Sequence, residues 1–157
     1  MPVKFEESEV SSLGEVSQEP GCEACFEDLV HALRNPGVVF GEAAPSELVA
    51  TCALADWESS VASLRRVLEQ SGQSAADALR SLRLAGEFAR QHHIRLDGAP
   101  WLCVFELDDD LWARYDIHTN LSVQAAAIWD GRFDDTLRTN KLDRESFYLR
   151  FMDAGPL

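Results

Sequence analysis

Two stretches of helical periodicity, separated by one tight break, constrain this chain more than any other feature of its sequence. From Ser46 to Gln70, the residues Val49, Cys52, Ala53, Trp57, Val61, Leu64 and Leu68 fall on one stripe at helical spacing, the pattern of a helix with a single buried face. Ser46 offers an N-cap side chain, and Ser71-Gly72 a terminator. Beyond the break, Ser74 and Asp77 make a short capping pattern, and Ala75, Leu79, Leu82, Ala85 and Ala89 continue as a second stripe toward Gln91. A connection this short sets neighbouring helices antiparallel, so the sequence predicts a helical hairpin.

Residues 101–117 follow a different period. Trp101, Cys103, Phe105 and Leu107 alternate, and so do Leu111, Ala113, Tyr115 and Ile117, on either side of Asp108-Asp109-Asp110. Period-two alternation rich in aromatic residues predicts a β-hairpin, with the three aspartates in its turn. The competing reading is one helix with Trp101, Val104, Phe105, Leu111, Trp112 and Tyr115 on a face, which three consecutive mid-helix aspartates disfavour.

Elsewhere the pattern is shorter. Phe26, Leu29, Val30 and Leu33 predict a first helix over Cys25 to Arg34, stopped by Asn35-Pro36-Gly37. Val38, Val39 and Phe40 are too few for periodicity to separate a strand from a loop. Asn120 is positioned to cap a helix carrying Leu121, Val123, Ala127 and Ile128, with Trp129-Asp130-Gly131 as its end. Asp143 can cap a last helix holding Phe147, Leu149, Phe151 and Met152, yet Phe147, Leu149 and Phe151 also alternate as a third strand would. The expected fold is therefore α+β, a helical hairpin and shorter helices on a small antiparallel sheet, with an all-α bundle as the alternative.

With 157 residues and 46% of them hydrophobic, residues 21–157 fit a single globular domain. Residues 1–20 mix Glu, Ser, Gly and Pro with few large apolar groups and read as a flexible tail. No apolar run approaches the roughly 20 residues that cross a bilayer, and Glu6, Glu7 and Glu9 stand where a signal peptide would be basic. Four cysteines are too few for a disulfide scaffold, which makes a reduced, cytoplasmic protein the expectation.

The net charge of −13, from 14 basic against 27 acidic side chains, opposes direct binding to nucleic-acid phosphates. The same charge speeds encounter with a basic protein partner. Up to Asp28 eight acidic residues face Lys4 alone, so more than half of the excess sits at that end.

Four constellations have chemistry within reach. Cys22 and Cys25 form a CxxC pair at the start of the first helix, suited to thiol exchange or to half of a zinc site. A redox pair of this kind normally follows a strand, Glu23 would raise a thiolate pKa, and no second closely spaced ligand pair exists, since Cys52 and Cys103 are isolated. His92 and His93, with Asp97 beyond, can serve as a base or metal site, or cap the C-terminus of the second long helix. Glu106, Asp108, Asp109 and Asp110, with Asp116 and His118 further on, form the most enzyme-like cluster. The alternation sends Glu106, Asp116 and His118 to the polar face, and an EF-hand's ligand spacing and glycine are missing. Finally, Trp112 lies opposite the face carrying Tyr115, among Asp108, Asp109, Asp110 and Arg114. That is the composition of an aromatic anchor inside an acidic rim, unless helices cover both faces of the hairpin and make Trp112 core.

No Walker, dinucleotide-binding, nucleophile-elbow or HExxH motif is present. The sequence thus points to a non-catalytic adaptor, inhibitor or immunity-type module, free of cofactor, that engages a basic protein through Asp108, Asp109, Asp110, Trp112 and Arg114. The alternatives are a small metal-dependent or acid/base enzyme using His92, His93 and the aspartates, and a mimic of nucleic-acid charge.

Overall fold

The computed structural model describes residues 23–45, 48–52, 57–142 and 146–153. The acidic tail at residues 1–20, Cys22, and the capping residues Ser46 and Asp143 lie outside them.

Helix α1 (Glu23–Arg34) buries Phe26, Leu29, Ala32 and Leu33. One turn of helix, α2 (Gly37–Phe40), and a 3-10 turn at Gly41–Ala43 follow, which makes the Val38–Phe40 run helical. Strand β1 (Thr51–Cys52) leads to the helical hairpin of α3 (Trp57–Ser71) and α4 (Ala75–Gln91). Strands β2 (Trp101–Leu107) and β3 (Asp110–His118), helix α5 (Val123–Thr139) and strand β4 (Phe147–Met152) complete the described chain. The class is α+β.

The hairpin of helices forms as the two stripes require. Ser74 Oγ accepts the Asp77 amide at 3.0 Å, capping α4, and Gly72 takes a φ of 75° at the break, a conformation that costs glycine little. The first stripe begins later than its periodicity implies. Thr51 and Cys52 are extended, paired in parallel with Trp101 and Leu102, and the Thr51 amide and hydroxyl both donate to Pro100 O. Backbone pairing along the edge of β2 has outweighed the apolar spacing of Val49 and Cys52; Ala53, the next residue of that stripe, lies outside the described residues.

Helix α5 departs from expectation at both ends. Its N-cap is Ser122, which accepts from the Ala125 amide, because Asn120 is engaged with Arg95 instead. It also runs through Gly131 to Thr139. Trp129, Phe133 and Leu137 recur every four residues and turn toward the core, and their burial outweighs the roughly 1 kcal/mol that one exposed helical glycine costs.

The sheet order is β1-β2-β3-β4. Strands β2 and β3 are the expected antiparallel hairpin, Phe147, Leu149 and Phe151 alternate as a strand, and β4 joins β3 in parallel. The sheet is therefore mixed rather than purely antiparallel, because α5 intervenes between β3 and β4 and carries the chain back to run in the same direction.

One face of this sheet meets the helices. Leu102, Ala113, Tyr115, Ile117, Leu149 and Phe151 join Leu29, Leu33, Leu64, Leu82, Phe88 and Phe133 in a single core cluster. Each large side chain so buried contributes about 1.5–3 kcal/mol relative to exposure. The Tyr115 hydroxyl donates to Leu33 O at 2.7 Å, fastening β3 to α1, and Phe88, Phe133 and Phe151 pack ring against ring at 5.2–5.7 Å.

Candidate functional site

The β2–β3 turn decides what the other face of the sheet displays. Leu107 pairs with Asp110, so the loop holds two residues, Asp108 and Asp109, with Asp108 at a φ of 57° that Asp tolerates better than most side chains. Asp110 is therefore the first residue of β3 and not part of the turn. Register follows: Trp101 stands opposite Asp116, Cys103 opposite Arg114 and Phe105 opposite Trp112. Residues directly opposite share a face, so Trp101, Cys103, Phe105 and Leu107 stand with Trp112, Arg114 and Asp116, away from Tyr115. Glu106, opposite Leu111, belongs to the helix-side row and is exposed at its end, which corrects its assignment to a shared polar face with Asp116. On β4 the register places Tyr148 opposite Arg114, Arg150 opposite Asp116 and Met152 opposite His118.

Among the described residues, every helix packs on the opposite side. Val104 and Leu111 reach the core cluster, whereas Phe105 and Trp112 are outside it. The outer face is consequently an aromatic surface in contact with solvent: Trp101 is 38% exposed and Leu107 64%, with Phe105, Trp112 and Tyr148 half-buried. Phe105 and Trp112 stack at 5.5 Å with 22° between their planes, and the Arg114 guanidinium lies over the Phe105 ring at 5.0 Å. Arg114 Nε sits 2.8 Å from the buried Asp116 carboxylate. The contact is an ion pair without the alignment of a hydrogen bond. It holds the guanidinium over Phe105 and sets one positive charge of the face against one negative charge.

The acidic end of the hairpin is fixed from outside. Gln70, near the end of α3, donates from Nε2 to Asp109 O at 2.8 Å and accepts the Leu111 amide at 3.0 Å. Asp108, Asp109 and Asp110 are all exposed. Beside them, Gln70, Ser71, Asp110, Leu111, Trp112 and Tyr148 line a cleft of about 430 Å3.

The remaining sequence candidates do not gather. His92 is the C-cap of α4, and its ring packs 4.5 Å from Phe88 and 4.6 Å from Trp129. His93 adopts a φ of 57° and faces Glu42, Arg90 and Arg95 in a separate cleft. The two imidazoles therefore do not converge, as the capping reading expects. His118 reaches Asp153 O, and Cys25 and Cys103 lie apart, on α1 and β2. Among the described residues, no three His, Cys, Asp or Glu side chains come together at a metal-binding spacing. No described helix is long and apolar enough to cross a membrane.

A second groove separates α1 from α3, about 540 Å3 in volume and lined by Phe26, Val30, Trp57 and Val61 among others. Two of its charges are already paired within the chain. Arg65 donates twice to the Glu23 carboxylate at 2.9 Å, which holds the Glu23 pKa below its ordinary value, chiefly through that hydrogen bonding. Arg65 also lies over Phe26 at 4.1 Å, and Arg34 over Trp57 at 5.0 Å.

Sequence reasoning singled out Trp112 and Arg114 beside the aspartates but not Trp101, Phe105, Leu107 and Tyr148, which the register places on the same face as Trp112 and Arg114. The signal that would have found them is loop length. A three-residue turn places the two alternating apolar sets on one face, and a two-residue turn places them on opposite faces. Compared with protein families, curated proteins and solved structures, the chain gives no match.

Proposed function

We propose that this chain is a non-catalytic, acidic protein-binding module that docks a basic protein partner on the outer face of its sheet. The observation that carries the reading is the gathering of Trp101, Phe105, Leu107 and Trp112 on the side of the sheet away from the helices, beside the exposed Asp108, Asp109 and Asp110. Large aromatic side chains in a partly desolvated patch dominate binding energy at protein interfaces, and a charged rim contributes encounter rate and orientation. The net charge of −13 selects for a partner of opposite sign.

The parts divide accordingly. Phe105 and Trp112 form the centre, pre-stacked so that little side-chain freedom is lost on docking. Arg114 and Asp116 neutralise each other beside that centre, so a partner covering this pair leaves neither of the two charges unmatched. Asp108, Asp109 and Asp110 at the hairpin end form the acidic rim.

The test is capture from native lysate at moderate salt by the wild-type chain and by the Phe105→Ala/Trp112→Ala variant, followed by binding measurements with the purified protein captured. A single basic protein that binds directly, is released by salt and loses at least tenfold in affinity for the variant supports the reading, given unchanged circular dichroism. Failure to capture a stoichiometric partner, or capture equal for both forms, overturns it.

A further inference from the structure

We infer that the cleft beside Trp112 receives an arginine side chain. This rests on the docking reading above and adds the chemistry of the partner residue that specifies it.

Four of the chain's aromatic rings are already served by its own cations. Arg34 lies over Trp57, Arg65 over Phe26, Arg114 over Phe105 and Arg132 over Trp129, at 4.1–5.0 Å. Trp112, which lines the cleft with Tyr148 of β4, has no described guanidinium or ammonium over it. Phe105 stacks on it from the β2 side. Phe105 has both a ring partner, Trp112, and a cation, Arg114, whereas Trp112 has the ring partner alone. A guanidinium in the cleft supplies the missing cation.

The polar lining agrees. Among the described residues, Asp110 is the carboxylate of the cleft, no cation lines it, and Asp110 makes no ion pair. Gln70, the neighbouring amide, is spent on Asp109 O and the Leu111 amide, so it holds the wall in place and does not compete for a ligand. A planar guanidinium can stack on an indole while presenting two parallel N–H groups to a carboxylate, whereas an ammonium is a point charge that meets one partner well at a time. The combination of Trp112 and Asp110 therefore favours arginine over lysine.

The experiment is an NMR titration of the 15N-labelled full chain at low ionic strength, with the peptide acetyl-Gly-Arg-Gly-amide and its citrulline and lysine counterparts as probes. The chain's four tryptophans give four indole N–H signals, and the Trp112→Phe spectrum identifies one of them. The arginine peptide is expected to move the Trp112 signal saturably. Replacing arginine with uncharged, isosteric citrulline, or Asp110 with Asn, should weaken binding about tenfold. An unmoved Trp112 signal overturns the inference, as do equal responses to the arginine and citrulline peptides, lysine binding as tightly as arginine, or an Asp110→Asn chain that binds normally. The two proposals fail separately. A basic partner whose affinity falls with Phe105→Ala but not with Asp110→Asn sinks the arginine site and leaves the docking face intact.

Discussion

Gly86 lies in the middle of α4, where intrinsic propensity favours alanine by about 1 kcal/mol, yet the structure requires that alanine there be harmful. A Cβ built on Gly86 runs into the carbonyl oxygen of Val39 in α2, and lies 2.7 Å from Val39 Cγ1 and 2.8 Å from the Val39 carbonyl carbon. Two of the three obstacles are backbone, in a segment fixed by its own hydrogen bonds to Pro36 and by the Arg90 guanidinium, which donates to the same Val39 oxygen. Relief needs α2 to move as a unit. Overpacking of this kind costs about 1–3 kcal/mol, with rigid neighbours at the upper end. Setting about 3 kcal/mol against the propensity gain leaves Gly86→Ala destabilised by about 2 kcal/mol, or about 4–8 °C in melting temperature for a domain of this size. Gly131, exposed in α5 with no atom within 4 Å of its virtual Cβ, is the matched control. Gly131→Ala should gain up to about 1 kcal/mol from propensity alone. Scanning calorimetry and urea titration of both variants decide the matter. If Gly86→Ala melts at or above the wild type, the close approach of α2 to α4 is not what selects glycine there.

Tyr115→Phe strands the buried Leu33 carbonyl that the hydroxyl satisfies, and should lose about 1–2 kcal/mol in urea denaturation without altering the fold. Ser74→Ala removes the cap of α4 and should cost about 1 kcal/mol, whereas Ser74→Asp should retain stability. Glu23 carries a pKa depressed by hydrogen bonding to Arg65. Its contribution is therefore complete above the ordinary Glu range and fades as pH falls through its lower folded value. Side-chain carboxyl NMR should show Glu23 titrating below the exposed glutamates, and Arg65→Gln should return it to the common range. Because both partners are well exposed, Arg65→Gln should leave thermal stability at neutral pH little changed.

The parts of this fold that were legible in sequence are those where one local signal acts alone. The α3–α4 hairpin declared itself because Ser74, Gly72 and two long stripes agree. The β2–β3 hairpin did so because alternation and aromatic content agree. The misjudged segments are those where a distant partner takes part. Thr51 and Cys52 are a strand because Trp101 and Leu102 offer them a ladder. Asn120 does not cap α5 because Arg95 engages it, and Gly131 does not end that helix because Phe133 and Leu137 have a core to enter. Trp112 and Arg114 could be singled out from their acidic surroundings, but the aromatic company they keep depends on whether two or three aspartates form the turn. A difference of one residue there exchanges the faces of every side chain on one strand.

That single residue also accounts for the energetic oddity of the molecule. With a three-residue turn, Trp101, Cys103, Phe105 and Leu107 would have joined Ala113, Tyr115 and Ile117 against the helices, leaving Leu102 and Val104 outside. In the observed register the smaller aliphatic set of β2 faces the core, and the larger aromatic set faces outward. Burial alone favours the reverse arrangement, since aromatic side chains carry more area from water than the aliphatic ones. The space beneath the sheet explains why it is not adopted. Tyr115, Leu33, Leu64, Phe133 and Leu149 already fill that layer with almost no residual exposure, and larger rings inserted there would meet a core at crystal-like packing density. Trp101, Phe105 and Trp112 are thus held at the surface by the volume of the core, with Phe105 stacked on Trp112 and under Arg114. The apolar area they leave in water is area that a partner can bury without disturbing the fold.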